Sequence, residues 1–241
     1  MKPLNVLILI IMMLPNVVMA SKPVIVLNIT GQPPLNTNNQ AGFMDVVATE
    51  AFRRIGYQLK TVRLPAERGL VNSNRGLVDG EMSRIKNIDK LYTNLIRVPE
   101  KIMNWEFVGF AIKPISLQQG WSALSNKSVS HINGWKILEK NIPDTAETTR
   151  TKDADSLFNL LRRNRTDIVL YERWGGQYLL QEKNMNKVQL CDKPLAVKEM
   201  YIYLHKNHKP LVSKLASALK EMKQDGSYTD IHDKYLKKYE K

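Results

Sequence analysis

The chain has 241 residues, enough for one large domain or two small ones at roughly 100–200 residues each. Hydrophobic residues at 43% and charged residues at 24% exclude a disordered chain, and 12 Gly with 11 Pro exclude a collagen-like or low-complexity repeat. Lys and Arg outnumber Asp and Glu by 36 to 23, a formal net charge of +13, while the single Cys191 excludes an intramolecular disulfide framework and a Cys-rich zinc module.

The first twenty residues read as an address. Lys2 precedes an unbroken apolar run, Val6 to Leu14, which Pro15 and Asn16 break before the small residues ahead of Ser21. This is the order of a secretory signal peptide. The run is too short for a membrane anchor, which needs about 20 apolar residues. The expectation is cleavage after residue 20 and a soluble, periplasmic chain. Export removes most of the force of the basic surplus as a nucleic-acid signal, so no nucleic-acid partner is expected. The densest basic run, Lys234, Lys237, Lys238 and Lys241, has helical spacing and reads as a solvated face.

Beyond the address, Val24 to Ile29 is a β-branched apolar run, a buried strand closed by Gly31-Gln-Pro-Pro34. Apolar residues at helical spacing predict a helix over Met44–Ile55, stopped by Gly56. Tyr57–Leu64 alternates as a strand, and Pro65 opens a helix over Ala66–Asn74. Leu77-Val78 reads as a short strand ending near Asp79-Gly80. This β-α-β-α-β order predicts a parallel sheet covered by helices.

After a further strand over Trp105–Ile112 the pattern repeats. Strands are predicted at Ser128–Ile132, Thr148–Thr151 and Asp167–Tyr171. Helices follow at Gly134-Trp135 through Lys140, at Leu157–Arg163 with Asp155 or Ser156 as the cap, and at Trp174–Glu182. Short strands at Val188–Leu190 and Met200–Leu204 lead to two amphipathic helices, Pro210–Lys223 and Tyr228–Tyr239, joined by a turn at Asp225-Gly226. The expectation is an α/β chain of two packed halves with a ligand cleft between them.

Enzyme signatures are missing. There is no Gly-x-Ser-x-Gly elbow, and His205-x-x-His208 lacks the Glu of a metalloprotease helix and precedes Pro210. No catalytic residue, metal or cofactor is expected, and a periplasmic enzyme is the weaker alternative. Asp45 and Asp79 read as stabilisers of a helix start and a turn, and Cys191 as a buried, inert thiol.

Four dispersed pieces carry a resemblance: Gly42-Phe-Met-Asp45 with Gly56; Asn74-Arg-Gly-Leu-Val-Asp79; Leu160 to Asp167 followed by Ile-Val-Leu-Tyr-Glu172; and Ala218 to Tyr228 ending in Tyr235-Leu236. In their order and spacing the chain resembles a divergent branch of the periplasmic solute-binding proteins of family 3, which serve mainly polar amino-acid uptake by ABC transporters. The resemblance implies a type II, two-lobed periplasmic-binding fold hinged on two strands. Residues 21–108 and 201–241 would form lobe one and residues 109–200 lobe two, with the tail returning to lobe one. It implies a monomer that captures a small polar solute by lobe closure, with an inner-membrane ABC permease as partner. The alternative output is a report to a membrane sensor.

The resemblance also implies a site. Ser83 and Arg84 fall at the family's ligand-binding turn, where a guanidinium would hold a carboxylate. Gly134 and Trp135 match a lobe-two helix start that seats an anion. Glu172 falls where the family places its amine-binding acid, with helix capping as the structural alternative. Arg68 would face the cleft or bridge Glu67 or Glu81, and Trp135 and Trp174 would be lobe core or would stack on a ligand. The chain departs from the family at Ile88-Asp-Lys-Leu91, where the usual carboxylate-binding Arg is missing, and Arg84 is expected to replace it from a shifted position. Glu81 is unusual for an amino-acid pocket and would pair with Arg68 or Arg84.

Overall fold

The computed structural model describes residues 21–240, so the predicted signal peptide and Lys241 lie outside the described residues. The first unit is β1 (Val24–Ile29), α1 (Phe43–Arg54), β2 (Gln58–Arg63), α2 (Ala66–Asn74) and β3 (Gly80–Arg84). β1 pairs in parallel with β2 and β3. Ile25, Leu27 and Ile29 are buried, as the β-branched run requires, and α1 covers them with Met44, Val47, Ala51 and Phe52. Asp45 locks the start of α1. Its carboxylate accepts the N–H groups of Thr37 at 2.8 Å and Gly42 at 3.0 Å and the amide of Asn36 at 2.6 Å.

The predicted strand at Leu77-Val78 is displaced. Leu77 is 68% exposed, and the strand starts at Gly80. Asp79 forms the turn between them: its N–H donates to the Val26 carbonyl, and its carboxylate accepts the Val26 N–H at 2.7 Å. Those bonds end the turn and release the chain into the sheet only afterwards.

The connecting strand β4 (Leu95–Ala111) is far longer than the sequence predicts. Pro99 and flanking charges hid its first half. The proline falls where the pairing register shifts between Arg97 and Lys101, so no ladder hydrogen bond is missed. The second unit follows as β5 (Ser128–Ile132), α3 (Lys136–Asn141), β6 (Glu147–Thr151), α4 (Ala154–Arg162), β7 (Ile168–Glu172), α5 (Arg173–Glu182) and β8 (Gln189–Leu190). Asp153, not Asp155 or Ser156, caps α4, accepting the Ser156 N–H at 2.7 Å. The long strand β9 (Ala196–His205) then returns to the first unit, followed by α6 (Lys209–Gln224) and α7 (Ser227–Tyr235).

The strands form one mixed sheet in the order β2-β1-β3-β9-β4-β7-β5-β6, with β8 beside β4. The parallel trios β2-β1-β3 and β6-β5-β7 are its two ends. The antiparallel pair β4–β9 joins them, so the expectation of a purely parallel sheet holds only within each half. The chain's tail differs from expectation too. α7 is shorter than predicted, and a single 3-10 turn at Lys237–Tyr239 reaches the second half. There Tyr239 packs edge-on against Tyr178 of α5 at 6.0 Å, and the Lys238 carbonyl accepts from Gln181.

Candidate functional site

In parallel sheets, ligands bind beyond the carboxyl ends of the strands. Here the carboxyl ends of both parallel trios converge. A Cβ placed on Gly175, just after β7, would lie 3.7 Å from the Pro33 carbonyl, just after β1. Arg63 stands at the end of β2 and Tyr171 near the end of β7, and the Tyr171 ring lies 3.0 Å from that same Cβ position. The Trp174 ring of α5 meets His232 of α7 edge-on at 5.8 Å.

Arg84, at the end of β3, has its charge engaged. Its Nε and Nη2 donate to Glu81 at 2.8 and 2.6 Å, and Nη2 also reaches the Ala66 carbonyl at 2.9 Å. Glu81 is 1% exposed and also accepts from Asn28 and Ser73. A buried carboxylate demands a partner, and Arg84 supplies it. Of the two pairings the sequence left open for Glu81, Arg84 is the one formed. Arg68 is exposed and makes no hydrogen bond or ion pair with another described residue.

Ser83 is buried, and its hydroxyl has no partner among the described residues. Gly134 takes a left-handed φ of +83°, which favours glycine there, and its N–H donates to Glu139 at 2.7 Å. The chain's own carboxylate thus fills the predicted anion seat. Trp135 stacks on Tyr171 at 4.9 Å with an interplanar angle of 15°, and meets Phe107 edge-on. Trp174 packs on the main core.

Glu172 caps α5. Its two oxygens accept the N–H groups of Trp174 and Gly175, each at 2.8 Å. Burial is the dominant influence and raises its carboxyl to about 7, against the two N–H donors, with Glu106 adding to the rise and Arg173 opposing it. Both oxygens serve the helix start, which is the structural alternative the sequence offered.

The sequence reading missed three groups at the seam. Trp105, on the connecting strand, has a buried indole N–H without a partner and lies 6.3 Å from Trp135. Tyr171 is 4% exposed, and its hydroxyl makes no hydrogen bond among the described residues. Arg63 is half-buried, and burial lowers its pKa. Its Nη1 donates to the Gly31 carbonyl, Nε to Asn38 at 3.3 Å and Nη2 to the Asn36 carbonyl at 3.5 Å, yet it makes no ion pair among the described residues. The available signal was positional: Arg63 is the last polar residue of an alternating strand that ends at the cleft.

Two open concavities, of about 380 and 370 Å³, lie elsewhere, around Pro114–Lys127 and between α1 and α6. No group of His, Cys, Asp and Glu among the described residues is arranged to hold a metal. His208 instead meets Asp79 at 2.6 Å. Cys191 is buried, which pushes its thiol up to about 11. No described helix is long and apolar enough to cross a membrane.

The architecture has solved counterparts. The chain is similar to the substrate-binding protein of an amino-acid ABC transporter, with a TM-score of 0.70 and 19% identity over 89% of this chain and 99% of the other. It is also similar to the GluR0 ligand-binding core in complex with L-glutamate, with a TM-score of 0.77 and 13% identity over 90% and 99%. A histidine kinase sensor domain with similarity to periplasmic binding proteins matches with a TM-score of 0.72 and 15% identity over 89% and 96%. The chain has the two-lobed fold of the periplasmic binding proteins. At such identities the likeness shows the fold alone. An uncharacterized protein of Shewanella oneidensis is 29% identical over 195 residues, 76% of this chain and 72% of that one. No family model matches.

Proposed function

We propose that this chain is an exported solute-binding protein. Residues 21–108 and 201–241 act as lobe one and residues 109–200 as lobe two, closing on a small polar solute that is handed to an inner-membrane ABC permease. One observation carries the reading: the Ser83 hydroxyl on β3 and the Trp105 indole N–H on β4 are buried with no partner among the described residues. Buried polar groups are nearly always hydrogen-bonded, and leaving one unpaired costs about 1–3 kcal/mol. A solute in the seam would supply the missing partners, so its binding free energy would favour the closed state. The trp-lined wall formed by Trp135 over Tyr171 suits an apolar portion of the same solute.

The test is a thermal-shift screen of residues 21–241 against amino acids, polyamines, organic acids, small peptides and sugars. A solute at a hundredfold excess over its Kd stabilises the fold by about 2.7 kcal/mol. A shift with one chemical class that is lost in Ser83→Ala supports the reading. Ligand-free protein that responds to no class overturns it. The likeness to a sensor domain supports a second output, reporting the solute to a membrane receptor. Solute uptake lost with the protein supports delivery; unimpaired uptake supports reporting.

A further inference from the structure

Arg63 is an unusual cation. The other half-buried arginines of this chain have settled partners: Arg54 meets Glu50 and Asp225, Arg84 meets Glu81, Arg173 meets Glu106, and Arg97 lies over the Tyr201 ring at 4.8 Å. Arg63 is half-buried with no carboxylate in ion-pair contact. Asp45 is its nearest acidic influence, and that carboxylate is spent on Thr37, Gly42 and Asn36. The three acceptors that hold Arg63 are neutral oxygens of the loop after β1. Asp45 attracts Arg63 through space, but among the described residues no carboxylate forms a direct ion pair with its half-buried guanidinium.

Its donors are not exhausted either. A guanidinium carries five N–H donors. Three are used on the loop, one on each nitrogen. The two that remain lie on Nη1 and Nη2. Across the seam stands Tyr171, whose hydroxyl makes no hydrogen bond among the described residues; a Cβ on Gly175 would lie 3.0 Å from its ring and 3.7 Å from the Pro33 carbonyl, in the loop that Arg63 holds. The loop holds the guanidinium in place, so little side-chain entropy remains to be lost on binding.

We propose that Arg63, and not Arg84, seats the anionic group of the captured solute, with a carboxylate bridging Arg63 on one lobe to the Tyr171 hydroxyl on the other. The inference rests on the capture reading above and adds the charge class of the solute to it. A carboxylate there provides the direct ion pair that Arg63 lacks among the described residues and touches both lobes, so it favours closure as well as binding.

The test uses residues 21–241 and L-amino acids, succinate and glutarate as probes, each beside its carboxamide counterpart, with affinities from calorimetry. The expected result is that the wild type binds an acid, and that Arg63→Gln weakens it by about tenfold to a hundredfold while the amide binds as before. If Arg63→Gln fails to fold, Arg63→Lys makes the same comparison. It keeps the charge and loses the planar fork, so the acid weakens relative to its amide. Equal loss for acid and amide would overturn the inference by making Arg63 a loop support only, and so would an unchanged acid affinity. A wild type that binds only uncharged or cationic solutes overturns the Arg63 assignment and leaves the capture reading standing. A wild type that binds nothing in the broader screen overturns both.

Discussion

Glu172 shows how burial decides what a single side chain does. At the end of a strand beside a cleft, a carboxylate is available to a cationic ligand only if its oxygens are free. Here both serve the first turn of α5. Its carboxyl rises to about 7 in the fold against an ordinary 4.5. An acid whose folded pKa is raised is protonated in both states below pH 4.5 and ionised in both above about 7. Between these limits the folded state holds more protons, so stability falls as pH rises, by about 3 kcal/mol in total. Glu172→Gln should remove this contribution. Urea unfolding of both proteins at intervals from pH 4 to pH 8 checks it; parallel pH profiles would show that Glu172 does not titrate in this window.

The same competition explains which site residues were legible one residue at a time. Gly134 and Trp135 lead into α3, as the predicted helix start requires. Position along the chain does not reveal whether a charge is already spent. Glu81 neutralises Arg84 because three elements, β1, α2 and β3, bury that carboxylate together. Arg63 makes no direct ion pair among the described residues, because the oxygens of Asp45, which attracts it through space, are hydrogen-bonded at the start of α1.

Most elements were readable because their apolar periodicity is local. Helix α2 occupies the predicted residues, and α1, α5 and α6 lie within a residue or two of prediction. The failures have tertiary causes. The first half of β4 is amphipathic and carries Pro99, and it is a strand because β9 supplies a partner on one side. Packing also decides the fate of Gly176 in the middle of α5. An alanine there gains about 1 kcal/mol in helix propensity. Its Cβ would lie 2.1 Å from Phe110 Cζ, and that ring is fully buried against Phe158 at 5.4 Å and cannot yield. Overpacking of this kind costs about 1–3 kcal/mol. Gly176→Ala should therefore lower the denaturant midpoint at unchanged m-value; a raised midpoint would mean that the ring shifts freely.

At the scale of the whole molecule, the tail is a strap over the seam. It begins on the first half of the sheet, where Tyr228 packs on Phe43 of α1 and donates to the Ile102 carbonyl. His232 lies between Phe43 of α1 and Trp174 of α5, touching both halves. The tail ends against α5 through buried Tyr239. An aromatic pair contributes about 1 kcal/mol beyond its buried area. Tyr239→Ala should therefore raise the open-to-closed ratio by about fivefold or more without ligand. Small-angle scattering reads this as a larger radius of gyration; an unchanged radius would show that the β4–β9 pair alone sets the angle between the lobes.

Periodicity, capping and turn chemistry act over a few residues, so the two α/β repeats, the helical tail, the helix-start role of Asp45 and the buried Cys191 were legible along the chain. Long-range packing set the length of β4, the reach of the tail to α5, and which arginine lacks a direct ion pair among the described residues. Those depend on segments brought together from opposite ends of the chain: β9 against β4, Tyr239 against Tyr178, and Tyr171 facing Arg63. Pairing and desolvation between distant residues set them, and neither is written in the spacing of either residue alone.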